Sequence, residues 1–166
     1  MAEEHTDEVD LIVDAWRRER PDLDVDPLLV LSRITRLARR LDQTRSSAFA
    51  THHLEAWEFD VLSALRRVGT PYELSPGALG QQTLVTSGTM TNRVDRLAAR
   101  GFVERRPAPN DRRGVLVRLT DAGRQVVDAA FEDLLAQEQR LLASLPVAGR
   151  QALAANLRRL LTTLEG

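Results

Sequence analysis

Four short polar side chains, Ser87, Thr89, Thr91 and Asn92, fall within one short stretch and are followed by Arg93 and Arg96. Hydroxyls and a carboxamide exchange hydrogen bonds with the edges of nucleotide bases, and a guanidinium pairs in a fork with phosphate or with guanine. A second pair of cations, Arg112 and Arg113, follows Asp111 in the segment Pro107–Gly114, which is dense in turn-forming residues. An arginine carried on a narrow projection fits the minor groove of a duplex, where the negative potential is enhanced. The duller alternative is that these arginines form a solvated face, or pair within their own helix with an acid such as Asp95. His52, His53 and Glu55 suggest a metal by type only, because adjacent histidines cannot share one helix face and no second cluster supports them.

These residues need a scaffold, and the chain supplies one in helical and alternating patterns. A first helix is expected from about Glu8 to Arg18, with Leu11, Ile12, Ala15 and Trp16 as its apolar stripe. A second opens at Pro27 and fades near 46–51, with Leu31, Ile34, Leu37, Ala38 and Leu41 on one face. A third spans Leu54 to Val68 with Trp57, Val61, Leu62 and Leu65 inward, and Gly69 ends it. Residues 70–74 hold a proline and are expected to be loop. Ser75 followed by Pro76 caps a short helix ending near Gln82, and Thr86 or Ser87 caps another that runs to Arg100 and stops at Gly101. The period then changes to alternation at 102–106 and 115–119, which predicts a hairpin with 107–114 as its connection. Thr120 caps a long helix from Asp121 to about Ser144, Pro146 breaks it, and a last helix carries Leu153, Leu157, Leu160, Leu161 and Leu164.

The fold class expected is therefore mainly α with a small β-hairpin: a short helix, a tight turn, a helix with polar and cationic residues, and a basic hairpin. That order is a winged helix-turn-helix, since the major groove, about 12 Å wide, admits one helix whose N-terminal side chains reach base edges. One domain over 1–166 is expected, with helices for pairing and a pocket in 1–53, the winged helix-turn-helix in 54–120, and further pairing helices in 121–166. The first and last helices carry apolar stripes wider than one thin domain can cover, which implies a homodimer. Packing of those helices within one chain is the alternative.

Net charge would mislead. The 166 residues sum to −1, with 23 arginines, no lysine and 24 acids. Residues 1–26 hold ten acids against three arginines, a net of −7, so the remainder carries +6. Within that remainder, residues 93–118 hold eight arginines against three acids. The chain is a basic strip behind an acidic start. The absence of cysteine excludes disulfides, thiol nucleophiles and thiol-based redox sensing. No glycine-rich phosphate loop, Gly-x-Ser-x-Gly elbow or His-Glu-x-x-His occurs, so no enzyme, no cofactor and no metal are expected. Without an apolar run of membrane length or a basic leader, the chain is expected to be soluble and cytoplasmic, with no membrane partner.

The sequence resembles the MarR family of bacterial transcriptional regulators. The residues that carry the likeness are Glu58–Leu62, Leu84–Thr91, Arg93–Leu97 and above all Asp111–Thr120, an Asp-Arg-Arg-Gly wing followed by a Val/Leu strand ending in Leu-Thr. The resemblance implies a homodimer that binds a pseudopalindromic double-stranded operator, usually as a repressor relieved by a ligand. It assigns DNA contacts to Ser87, Thr89, Thr91, Asn92, Arg96, Asp111, Arg112 and Arg113, with Asp111 orienting the arginine that enters the minor groove.

Trp16, the stretch Arg20–Asp24, Trp57–Asp60 and Thr86–Asn92 also look like the urate-responsive PecS-type branch of that family. By that likeness Trp16, Asp60 and Arg93 form a pocket for a small anionic or aromatic effector, urate or a related anion. The chemistry suits it: arginine pairs with a planar anion, a carboxylate accepts its N–H groups, and an indole covers its face. A fourth pocket position, often asparagine in that branch, falls near Arg67 and Val68 here. A phenolic effector is the alternative ligand, and a nonspecific architectural DNA binder the alternative function.

Overall fold

The computed structural model describes residues 6–109 and 111–165, with backbone only for 111–113 and 165. Two compact units emerge, residues 1–46 and 47–166.

The first unit holds α1 (Glu8–Glu19) and most of α2 (Pro27–Ala50). Asp7 caps α1: its carboxylate accepts from the backbone N–H of Val9 at 2.8 Å and of Asp10 at 3.2 Å, while the Asp10 carboxylate accepts from Asp7 N–H at 2.9 Å. The buried residues of the unit are Val9, Val13 and Val25, with Leu28 and Leu29 packed against them. Val9 and Val13, one turn apart, face inward, whereas Leu11 and Trp16 stand 64% and 48% exposed. Ion pairs fasten the same helix. Arg33 donates to Asp7 through both Nε and Nη2, at 2.8 and 3.0 Å, and to Asp10 at 2.7 Å, and Arg36 reaches Glu8 at 2.5 Å. The Arg33 guanidinium holds both carboxyls, Asp7 and Asp10, below the ordinary aspartate value of 3.8.

The second unit is built from α3 (Ala56–Arg67), β1 (Glu73–Leu74), α4 (Pro76–Thr83), α5 (Ser87–Ala99), β2 (Val103–Ala108), β3 (Asp111–Leu119), α6 (Asp121–Leu142) and α7 (Val147–Glu165). Its core gathers Phe49 and Leu54, the α3 residues Phe59, Val61, Leu62 and Leu65, Leu79 of α4, Met90, Val94 and Leu97 of α5, Val103, Val117 and Leu119 of the sheet, and Val127, Ala130 and Leu134 of α6. Met90, Val94 and Leu97 recur at helical spacing, so α5 buries one stripe and leaves the opposite face open. Phe49 and Phe59 stack at 4.1 Å between ring centroids.

The three strands are ordered β1-β3-β2, all antiparallel. Two expectations are corrected here. Residues 70–74 are not all loop, because Glu73 and Leu74 pair with Arg118 and Val117. The hairpin is also longer than the alternating pattern implied: Pro107 pairs with Val115 and Ala108 with Asp111, across an irregularity in register. Backbone pairing to β3, whose Val117 and Leu119 are buried, therefore extends into a segment whose turn-rich composition pointed to loop.

The base of the hairpin is locked to α6. Thr120 caps α6, accepting from Gly123 N–H at 3.0 Å, and its hydroxyl lies 2.7 Å from the Gly101 carbonyl. At Gly123 a Cβ would stand 2.1 Å from the Phe102 carbonyl oxygen, so only glycine allows this approach of helix to strand. Gly101, at φ +74°, takes the left-handed conformation that ends α5. The distal part of α6 and all of α7 are different in kind. Leu141, Leu153, Leu160, Leu161 and Leu164 are between 40% and 84% exposed, and no described residue of α7 is buried.

Candidate nucleic-acid interface

Helices α4 and α5 form the helix-turn-helix. Ser75 accepts from Ala78 N–H at 3.2 Å to start α4, with Pro76 in the first turn where its missing N–H costs nothing. Leu84, in the left-handed conformation, ends α4 and turns the chain. Thr86 then caps α5, its hydroxyl accepting from Thr89 N–H at 3.4 Å. The outward face of α5 presents Ser87, Thr89, Thr91, Asn92 and Arg96, all exposed. Thr91 donates to the Ser87 carbonyl at 3.0 Å, which leaves its oxygen free to accept. The Asn92 carboxamide makes no hydrogen bond with a described residue.

The arginines of α5 do not form an unrestrained row, and none pairs with Asp95. Arg96 donates from Nη2 to Glu55 Oε1 at 2.7 Å, and its guanidinium lies over the Trp57 ring at 4.6 Å. Trp57 in turn donates from Nε1 to Glu55 Oε2 at 2.7 Å. Arg93 lies over the same ring at 5.4 Å and has no ion pair with a described residue. Glu55, Trp57, Gly88, Thr89, Asn92, Arg93 and Arg96 line an open cleft of about 570 Å³ beside α5. The Trp57 indole N–H, and after it Arg96, hold the Glu55 carboxyl below its ordinary value of 4.5.

A second pairing, whose carboxylate is buried, fixes the other end of the helix. Glu58 is 2% exposed; it receives Arg100 Nη1 at 2.5 Å, while Arg100 Nη2 donates to the His53 carbonyl at 2.8 Å. Glu58 Oε2 also accepts from Glu55 N–H at 2.9 Å, so one carboxylate joins the start of α3 to the end of α5. Asp95 is taken by the wing instead, with Arg105 of β2 donating to it at 2.6 Å. Recognition helix and wing are thereby tied together through a charged pair on the surface. Arg112 and Arg113 lie on β3 just past the hairpin tip rather than in a loop. Their side chains and that of Asp111 are outside the described residues.

Of the three residues expected at the effector pocket, Asp60 and Arg93 are not joined by any described hydrogen bond or ion pair. Trp16 belongs to the first unit, Asp60 and Arg93 to the second. Asp60 is exposed and its carboxylate pairs with no described residue. His52 meets Asp133 of α6 at 2.7 Å, and among the described residues no group of His, Cys, Asp and Glu could hold a metal. Sequence reasoning treated Trp57 as a core residue and missed Glu55 and Glu58 altogether as parts of the site. The available signal was Glu-x-Trp at a helix start, facing two arginines one turn apart on another helix.

Comparison with known proteins agrees with this architecture. Residues 53–114 match the model of the MarR family. The transcriptional regulator PecS of Dickeya dadantii is 39% identical over 135 residues, covering 81% of each chain. The crystal structure of Sco5413, a MarR family transcriptional regulator from Streptomyces coelicolor, superposes with a TM-score of 0.70 at 28% identity, covering 86% of this chain and 97% of that one. A mutant of MarR from E. coli complexed with operator DNA superposes at 0.67 with 29% identity, over 84% of this chain and 99% of the other. No described helix is long and apolar enough to cross a membrane.

Proposed function

The chain belongs to the MarR family of DNA-binding transcriptional regulators, and from that premise we propose how it binds and what releases it. Two copies pair through the exposed apolar faces of α7 and distal α6, joined by those of α1 and α2, and present two α5 helices to successive major grooves of a pseudopalindromic operator, about 34–36 Å apart. Ser87, Thr89, Thr91, Asn92 and Arg96 meet base edges and phosphates, and Arg112 or Arg113, oriented by Asp111, enters the minor groove. The observation that carries this is the division of α5: Met90, Val94 and Leu97 sealed in the core, and every short polar residue turned outward beside Arg96. The protein works in the cytoplasm as a repressor of a neighbouring gene.

Release follows from a planar anion, urate-like, held by Asp60 and Arg93. Two features support the assignment. The Asp60 carboxylate has no partner among the described residues, and Arg93 is stacked on Trp57 without a described carboxylate partner, so both retain capacity for a ligand. Arg93 stands on the helix that reads DNA, so a ligand that draws its guanidinium shifts the reading surface and couples the two sites.

Release of a labelled duplex, itself selected by the protein from a randomised pool, tests both parts. Urate should free the wild-type protein, whereas Arg93→Ala and Asp60→Ala should bind the duplex and ignore urate. Salicylate serves as the phenolic comparison. If urate leaves the wild-type complex intact, the effector assignment falls and the DNA assignment stands. If Arg96→Ala and Arg112→Ala bind as wild type with the same salt dependence, the DNA assignment falls.

A further inference from the structure

We infer that Glu55 and Trp57 are positioning residues for DNA recognition: they hold Arg96 as a prearranged edge that selects a sequence rather than gripping any phosphate. The inference rests on the assignment of Arg96 to DNA contact made above.

The three side chains close a ring of interactions. Glu55 receives the Trp57 N–H on one oxygen and Arg96 Nη2 on the other, both at 2.7 Å, and the indole face lies under the same guanidinium at 4.6 Å. The ring is anchored below, because Trp57 packs against the hydrophobic core and Glu55 begins α3 immediately before the buried Glu58–Arg100 pair. Arg96 is nonetheless about half exposed. Its guanidinium thus faces solvent at a set angle, with Nε and Nη1 not engaged by Glu55.

Two consequences follow from general physics. An unrestrained arginine must be ordered when it meets DNA, and that loss weakens the specific complex; one already clamped by a carboxylate and a ring loses less. The carboxylate also cancels a positive charge at the reading surface, which weakens contact with phosphates of any sequence. Both effects widen the gap between a chosen site and the rest of the genome. Arg93 lies over the same indole but has no described carboxylate partner, so it stands outside this clamp.

A double-mutant cycle between Glu55→Gln and Arg96→Ala tests the inference, read as the ratio of affinities for the selected duplex and a scrambled one. With Arg96 present, Glu55→Gln should lower the ratio about tenfold, and binding to the scrambled duplex should tighten with a salt slope steeper by about one. With Arg96→Ala in place, Glu55→Gln should change the ratio less than about twofold. Trp57→Phe keeps a ring under the arginines and removes the N–H that orients Glu55, so it should shift the ratio in the same direction. In protein labelled with 5-fluorotryptophan, the Trp57 fluorine signal should move in Glu55→Gln, confirming that the clamp has opened while circular dichroism stays unchanged. An unchanged ratio in Glu55→Gln, or an equal fall with and without Arg96, overturns the inference alone. An Arg96→Ala variant that keeps both ratio and salt slope overturns the inference together with the DNA assignment beneath it.

Discussion

Removing Arg100 should show how much the recognition helix depends on a single buried carboxylate. In Arg100→Met the methionine keeps an apolar stem over Phe102, where the guanidinium now lies 4.6 Å from the ring centroid. Glu58, 2% exposed, is left with one backbone N–H and no counter-charge. Stranding a buried charge in this way costs about 3–5 kcal/mol, and because Arg100 is itself a third exposed the lower end applies, about 3 kcal/mol. For a chain of this size that is a fall in Tm of about 6–12 °C. Thermal unfolding followed by circular dichroism at one fixed protein concentration measures it, since a dimer's Tm shifts with concentration. The double variant Glu58→Met, Arg100→Met removes both charges and should be more stable than Arg100→Met alone. A single variant within about 1 kcal/mol of wild type, or a double variant worse than the single, would show that the pair does not pin α5 to α3.

Three other perturbations probe the rest of the scaffold. Gly123→Ala should cost about 1–3 kcal/mol or more by denaturant titration, because its Cβ would stand 2.1 Å from a backbone oxygen, while Gly88→Ala, with nothing within 4 Å, should fold as wild type. The carboxyls of Asp7 and Asp10 titrate below their ordinary value when α1 is docked, so their contribution is present at neutral pH and fades as pH falls through the carboxylate range. Trp16 emission in a Trp57→Phe background should therefore stay constant between pH 5 and 8 and change below about pH 4; a flat trace down to pH 3 would contradict that origin of docking. Arg33→Gln should produce at pH 7 the loss of hydrogen-exchange protection over Glu8–Glu19 that acid produces in wild type, and unaltered protection would remove the ion pairs from the account.

Local signals in the sequence located most of the elements, and the misses have a common cause. Ser75-Pro76, Thr86, Gly101 and Thr120 each act within a turn of themselves, through a side-chain cap or a left-handed stop, so they can be read without knowing the fold. Strand β1 could not be read that way, because two residues become a strand only through Arg118 and Val117, more than forty positions later. Pro107 and Asp111 were read as loop for the same reason: the pairing across β2 and β3 overrides their turn preference. Helix α1 is apolar on more than one side, and periodicity does not say that its own chain covers Val9 and Val13 and leaves Leu11 and Trp16 exposed. In the candidate site, the polar face of α5 was legible from residue type and spacing. The clamp on Arg96 was not, since it joins positions 55, 57 and 96, and the Trp57 ring serves the core and the guanidiniums at once.

Sequence selection by this protein rests on a polar, arginine-edged helix carried on a paired scaffold. Fluorescence anisotropy of the wild-type protein at physiological salt, on a pseudopalindromic duplex it has selected from a randomised pool and on the same bases scrambled, tests this directly. A preference of about 10³-fold or more for the selected duplex is expected. Equal affinities for the two, both falling steeply with salt, would contradict it and make the protein a nonspecific architectural binder.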